Sequence, residues 1–217
     1  MLDLQPAAKK SPPSHRRFGL ALAGGGPFGA FYEVGTLHAI GEAFESIDLT
    51  SLDMYVGVSS GAMIAAGLVN GFDTTDMGLV FIHNASPEHP VRPGLFLRPA
   101  FREYAERLAA IPGLTSDILS QYLRDPGKDW SEAIDPIGRL LPTGLCDNRP
   151  FERFLAKLYS GPGRTNDFRK LKRSLYIIAT ELNSGYSVRF GEPGFDHVPI
   201  SRAIQASTAL PGLYPPV

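Results

Sequence analysis

Two short stretches near the start of the chain are apolar at nearly every position, and each ends in small residues. The first is RFGLALAGGG (residues 17–26) and the second is DMYVGVS (residues 53–59). Such short continuous apolar runs indicate buried strands. A helical pattern follows each of them, the first to about Phe44 and the second, SGAMIAAGLVNGF, to a stop at Gly71. Two strand–helix units in succession predict a three-layer α/β/α domain with a mainly parallel sheet.

The middle of the chain has a different texture, with prolines between short helical patterns from about residue 85 to 167. We predict a helical cap insertion without strands, whose last helix lies in DNRPFERFLAKLYS with Asp147 or Asn148 as N-cap. Its apolar side chains suit either a lid over an acyl-chain groove or ordinary packing onto the domain. Beyond it, SLYIIATELNSGYSVRFG predicts two strands joined at Gly185, and PISRAIQASTALPG predicts a final helix.

Composition narrows the functional classes. The chain has 217 residues and a formal net charge of -1, so no overall field favours nucleic acid or an anionic membrane. No apolar run is long enough for a transmembrane segment. The single cysteine, Cys146, suits a reducing compartment and predicts a small buried residue. We therefore expect a cytoplasmic protein, with any peripheral membrane contact confined to a local surface. We also expect a disordered tail over residues 1–16 and one domain over residues 17–217.

The candidate chemistry begins with Gly57-Val58-Ser59-Ser60-Gly61, which matches G-x-S-x-G between a predicted strand and a predicted helix. A sharp turn there would expose Ser59 as a nucleophile, and glycines at 57 and 61 would avoid clashes within the turn. The amide of Ser60, at the helix N-terminus, would point toward anything bonded to Ser59. The alternative is a purely structural role, in which Ser59 caps a buried helix.

The three glycines after the first strand would supply further amides to the same place. A serine attacking an ester creates an oxyanion, and backbone N–H groups of Gly24, Gly25 and Gly26 could stabilise it. The same loop also satisfies the nucleotide-binding pattern G-x-G-x-x-G through Gly24, Gly26 and Gly29. Against a nucleotide site, the next strand ends in the Ser59 turn rather than in an acidic residue, and no Walker lysine follows the glycines.

These motifs together resemble the patatin-like phospholipases. The resemblance covers residues 17–71 and 174–217, including IIATELNSGYSVRF and SRAIQASTALPGLYPPV, and is uninformative between them. It implies a lipid acyl hydrolase that acts on phospholipid or another acyl ester through a Ser–Asp dyad, without histidine, cofactor or metal. It assigns the nucleophile to Ser59 and the oxyanion hole to the glycine loop.

The chain departs from the family pattern at two places. Family members commonly carry Arg or Lys where this chain has Phe28, and Pro27 beside it has no N–H to donate. The family's catalytic aspartate stands in a D-G-G or D-G-A motif after the segment equivalent to LYPPV, so we expect it beyond Val217 and expect the 217 residues alone to turn over little substrate.

Two other interpretations stay open at this point. A conventional triad in the order Ser59, Asp147 or Asp167, then His197 would place the base within the chain. A non-catalytic lipid- or protein-binding module would keep the fold without the base.

Overall fold

The computed structural model describes residues 17–44, 46–82, 95–100 and 144–217. The predicted tail over residues 1–16 and most of the predicted helical insertion lie outside these residues, so the tail and the lid stay predictions.

The sheet has four strands in the order β1 (Gly19–Leu22), β2 (Met54–Val58), β3 (Ser174–Thr180) and β4 (Ser187–Phe190). The pairs β1–β2 and β2–β3 are parallel, and β3–β4 is antiparallel. The antiparallel pair turns through Gly185, whose φ of +74° is the left-handed conformation predicted for that position. A mostly parallel sheet with helical crossovers confirms the predicted α/β class.

The described helices follow the strands in the expected alternation. They are α1 (Gly26–Ala43), α2 (Ser60–Val69), the short α3 (Thr74–Met77), which continues as a π-helical turn (Gly78–Ile82), α4 (Arg149–Tyr159), a 3-10 turn (Phe168–Lys170) and α5 (Ile200–Ser207). Asn148 is the N-cap of α4, and the adjacent Asp147 carboxylate accepts the Arg149 amide at 2.9 Å. The sequence pattern did not predict α3 or the turns that follow it.

Helix α2 lies at the centre of the molecule. Every residue from Ser60 to Leu68 is buried, and the helix packs against the first three strands and against α1, α3 and α5. Its all-round apolar sequence is therefore explained by neighbours on all of its faces. The start of α2, where Ser59 lies, is consequently anchored in the core.

Helices α4 and α5 are joined by buried polar contacts as well as by apolar packing. Gln205 Nε2 donates to Asn148 Oδ1 at 2.7 Å, and Ser201 Oγ donates to Glu152 Oε1 at 2.8 Å. Gln205 and Ser201 are 2% and 0% exposed, so these groups depend on their protein partners. The contacts fix α5 in one position relative to α4.

Candidate active site

Ser59 occupies a strained turn between β2 and α2. Its φ of +52° and ψ of −119° make it the one non-glycine residue with positive φ among the described residues. Such a conformation costs of order 1–3 kcal/mol and persists only where the surroundings enforce it. The Ser59 hydroxyl has no hydrogen-bond partner in the described part of the chain. A strained serine with an uncommitted hydroxyl has the geometry expected of a nucleophile elbow, and we refer to residues 57–61 as the elbow.

Glycines flank Ser59 because backbone comes too close for a side chain. A Cβ at Gly61 would lie 2.6 Å from the carbonyl oxygen of Ala23, and a Cβ at Gly57 would overlap the backbone of Ala62. The turn thus packs against the end of β1 on one side and against the first turn of α2 on the other. Steric contacts in this fold therefore explain why both of these positions of G-x-S-x-G are glycine.

The glycine loop after β1 lies directly against Ser59. A Cβ at Gly24 would be 3.0 Å from the Ser59 Cβ and 3.7 Å from its Oγ. Parallel pairing explains this proximity, since Leu22 stands opposite Gly57 and both chains leave the sheet at the same edge. Gly26, the first residue of α1, has a φ of +59°, which favours glycine. The two predicted loops therefore meet.

The Gly25 amide differs from the expectation that it would face an oxyanion. It donates to Ser60 Oγ at 3.0 Å, so the second serine of the elbow binds the glycine loop through its side chain. By contrast, the amides of Gly24, Gly26 and Ser60 have no hydrogen-bond acceptor within the described residues. The Ser60 hydroxyl lies within reach of Gly25 and accepts a hydrogen bond from its amide, a contact that sequence spacing did not indicate.

Two helix N-termini converge near Ser59. Helix α1 begins at Gly26 and α2 at Ser60, and neither has an acidic residue in its first turn. The partial positive charge of each N-terminus is therefore not offset by a carboxylate in its own first turn. Unpartnered amides and uncompensated helix dipoles favour negative charge at this edge of the sheet.

Ser207, the last residue of α5, contacts the elbow from the opposite side. Its Oγ accepts the Ser59 amide at 2.7 Å and donates to the Ile178 carbonyl at 2.6 Å. Sequence reasoning missed this contact, although Ser207 lies within the ASTALPG segment that contributed to the family resemblance. The signal available in the sequence was a small polar residue near the end of the predicted helix.

The aspartates considered for the base have other partners. Asp147 forms hydrogen bonds with Arg149 at 2.8 and 2.9 Å, and Asp167 forms two with Arg169 at 2.9 Å. Burial by itself would raise the pKa of the Asp147 carboxyl, but the bonds and charge of Arg149 outweigh it and lower that pKa. The hydrogen bonds from Arg169 lower the pKa of Asp167. Both carboxylates are paired with arginines, and their lowered pKa values make them weak bases.

The conventional triad is not assembled in the described structure. His197 is exposed and lies three residues before α5, and Asp167 forms a backbone bridge to Pro199 at the same end. Ser207, which contacts Ser59, is at the other end of this eight-residue helix, about 12 Å away at 1.5 Å per residue. The histidine and the elbow therefore belong to opposite ends of α5.

A partly buried carboxylate, Glu33 of α1, lies near the end of β1. Its Oε2 atom is buried and has no hydrogen-bond partner among the residues that the structure describes. Desolvation raises its pKa, and a hydrogen bond from the Ala23 amide opposes the rise only in part. Sequence analysis did not single out this residue. It places a carboxyl with a raised pKa beside the glycine loop.

The departures from the family pattern lie at the surface of α1. Pro27 occupies its first turn, where its missing N–H costs nothing. Phe28 is 85% exposed and meets Phe31 edge to face.

Cys146 is only half-buried, which corrects the predicted burial, and its amide donates to the Leu213 carbonyl at 2.8 Å. Within the described ranges, no cluster of three or more His, Cys, Asp or Glu could hold a metal ion.

A comparison with protein families identifies the fold. The model of the patatin-like phospholipase family matches residues 20–217, nearly the whole chain. The chain belongs to the patatin-like phospholipase family. The resemblance inferred from the glycine loop and G-x-S-x-G is thus confirmed, as is the three-layer α/β/α class. No curated protein matches the chain.

Solved structures that are similar to this chain include VipD and ExoU. VipD from Legionella pneumophila is 20% identical, with 93% of this patatin-like chain and 44% of VipD covered and a TM-score of 0.48. The type III effector ExoU is 21% identical, with 89% of this chain and 40% of ExoU covered and a TM-score of 0.45. ExoU in complex with SpcU from Pseudomonas aeruginosa is 18% identical, with 90% and 38% covered and a TM-score of 0.46. The chain spans less than half the length of these proteins.

Among the described residues of this patatin-like chain, no helix combines the length and apolarity needed to span a bilayer.

Proposed function

We propose that this chain carries the nucleophile and oxyanion hole of a serine lipid acyl hydrolase. The observation that supports this best is the strained Ser59, with an uncommitted hydroxyl, packed against Gly24 of the glycine loop. Family membership favours a phospholipid or another long-chain acyl ester as substrate. No cofactor or metal enters the proposal.

In the proposed reaction, Ser59 Oγ attacks the ester carbonyl and its proton passes to a carboxylate base. The new oxyanion is bound by the amides of Gly24, Gly26 and Ser60, each of which would contribute roughly 2.7–4 kcal/mol in the transition state. The alcohol leaves with the proton, and water then releases the acyl group from Ser59 by the reverse sequence. Gly25 acts through its bond to Ser60 rather than as a donor to substrate.

The base in this proposal is an aspartate expected beyond Val217, carried over from the family resemblance. The hydrogen bonds of three aspartates within the described residues support a base outside them. Asp147 and Asp167 are held by arginines, while Asp53 accepts the Phe18 amide at 2.8 Å at the far end of β2. None of these three has a free carboxylate near Ser59.

The test is covalent labelling of the full-length protein with a fluorophosphonate, followed by peptide mass spectrometry. We expect one adduct, on Ser59, that disappears in Ser59→Ala and persists in Ser51→Ala, a control serine in an exposed turn. Hydrolysis of phospholipid vesicles should follow the same pattern. Well-folded protein that binds lipid but takes no label would refute catalysis and favour a binding module, whereas thermal stabilisation by nucleotide would favour the nucleotide-site alternative.

A further inference from the structure

Ser207 connects three parts of the site through one hydroxyl group. It accepts the N–H of the strained Ser59 and donates its own proton to the carbonyl of Ile178, the β3 residue paired with Val58. Both distances, 2.7 and 2.6 Å, are those of well-formed hydrogen bonds. The bridge therefore lies where the elbow turns away from β3, and it joins the ends of the two strands.

We infer that Ser207 is a positioning residue that holds the Ser59 backbone in its strained conformation, an inference that rests on the proposed function. Positive φ at Ser59 is maintained only while its neighbours oppose relaxation. Gly24 and Gly61 restrict the elbow sterically from the β1 side. On the β3 side, a directed bond to the Ser59 amide comes from Ser207.

The bond also determines which amides face the reacting carbonyl. The Ser59 N–H donates to Ser207 of α5, whereas Gly24 and Gly26, whose amides have no acceptor within the described residues, belong to the glycine loop. Without the Ser207 hydroxyl, the Ser59 amide and the Ile178 carbonyl would both lose a partner. Rotation of the peptide group toward another acceptor would then move the Ser59 Oγ and the Ser60 amide together.

Helix α5 is a rigid support for this contact. The buried pairs Gln205–Asn148 and Ser201–Glu152 attach it to α4 along its length. Ile200 and Ile204 on the same helix are fully buried. The position of the Ser207 hydroxyl is therefore set by the fold and not by the conformation of a loop.

The experiment compares fluorophosphonate labelling rates in full-length wild-type protein, Ser207→Ala and Ser207→Thr, with Thr208→Ala as matched control. Thr208 is the next residue, and its hydroxyl donates to the α5 carbonyls of Ile204 and Gln205. We expect Ser207→Ala to label about tenfold more slowly, the loss corresponding to one buried hydrogen bond. Ser207→Thr should recover most of the rate, and Thr208→Ala should stay within about twofold of wild type.

Amide hydrogen exchange at Ser59 provides a second readout that does not depend on activity. Exchange should accelerate at Ser59 in Ser207→Ala but not in Thr208→Ala. Unchanged exchange at Ser59, or wild-type labelling by Ser207→Ala, would overturn the inference while leaving the proposed function intact. Absence of labelling in wild-type protein would instead refute the proposed function, and exchange at Ser59 would then decide the role of Ser207.

Discussion

The strain at Ser59 predicts that replacing this residue with glycine stabilises the protein relative to alanine. Alanine must keep the φ of +52° enforced by the turn, at a cost of about 1–3 kcal/mol. Glycine adopts this conformation freely but loses about 0.5–1 kcal/mol more conformational freedom on folding. We therefore expect Ser59→Gly to exceed Ser59→Ala in free energy of unfolding by about 1 kcal/mol.

The assay is equilibrium urea denaturation of both variants, together with thermal unfolding. A difference of about 1 kcal/mol corresponds to roughly 2–4 °C in melting temperature for a domain of this size. Both variants lack the Ser59 hydroxyl, so the effect of removing it cancels when their free energies of unfolding are compared.

Ser60 provides the matched control, since it is the adjacent residue and lies in the helix. There glycine should be no more stable than alanine, and less stable by up to about 1 kcal/mol. The same order at both positions, or Ser59→Ala at least as stable as Ser59→Gly, would refute the conclusion that the elbow stores backbone strain.

Three further predictions concern neighbouring groups. Ser60→Ala should destabilise the fold by about 1 kcal/mol and slow labelling of Ser59, because the Gly25 amide loses its acceptor; unchanged labelling would contradict this role. Burial raises the pKa of Glu33 above its usual 4.5, so its contribution to stability is greatest below that value and is lost as pH rises through the folded-state pKa. The free energy of unfolding of Glu33→Gln should therefore rise relative to that of wild type as pH increases from 4 to 7, as measured by urea titration. A difference between the two proteins that does not change with pH would contradict the raised pKa. Tyr55→Phe should cost about 1–3 kcal/mol of unfolding free energy, since the Tyr55 hydroxyl bonds two backbone groups at 2.8 and 2.9 Å, whereas the control Tyr176→Phe should cost less.

The sequence was informative where a local pattern has a single structural solution. The first two strands and the helices beside them could be predicted from apolar runs that end in small residues, and the hairpin from the turn at Gly185. The meeting of Gly24 with Ser59 followed from parallel pairing, since adjacent strands must leave the sheet at one edge. These conclusions needed only the order of the elements.

Contacts made by side chains from distant segments could not be predicted in the same way. Ser207 is 148 positions from Ser59, and only the packing of α5 brings the two together. The bond between Gly25 and Ser60 depends on side-chain direction within a turn, which spacing does not give. Helix α3 was missed because its four residues are too few for a recognisable period.

Helix α3 packs against α2, the helix that begins at the elbow. The Met77 side chain packs so closely on α2 that a Cβ at Gly67 would lie 2.6 Å from its Cε. Strand β2 is paired on both sides and α2 is buried along its length, so neither element beside Ser59 can move to relax the turn. The conformation of Ser59 is thus a property of the whole core. It follows that a cavity made at Met77 should lower the stability of the elbow as well as that of the fold.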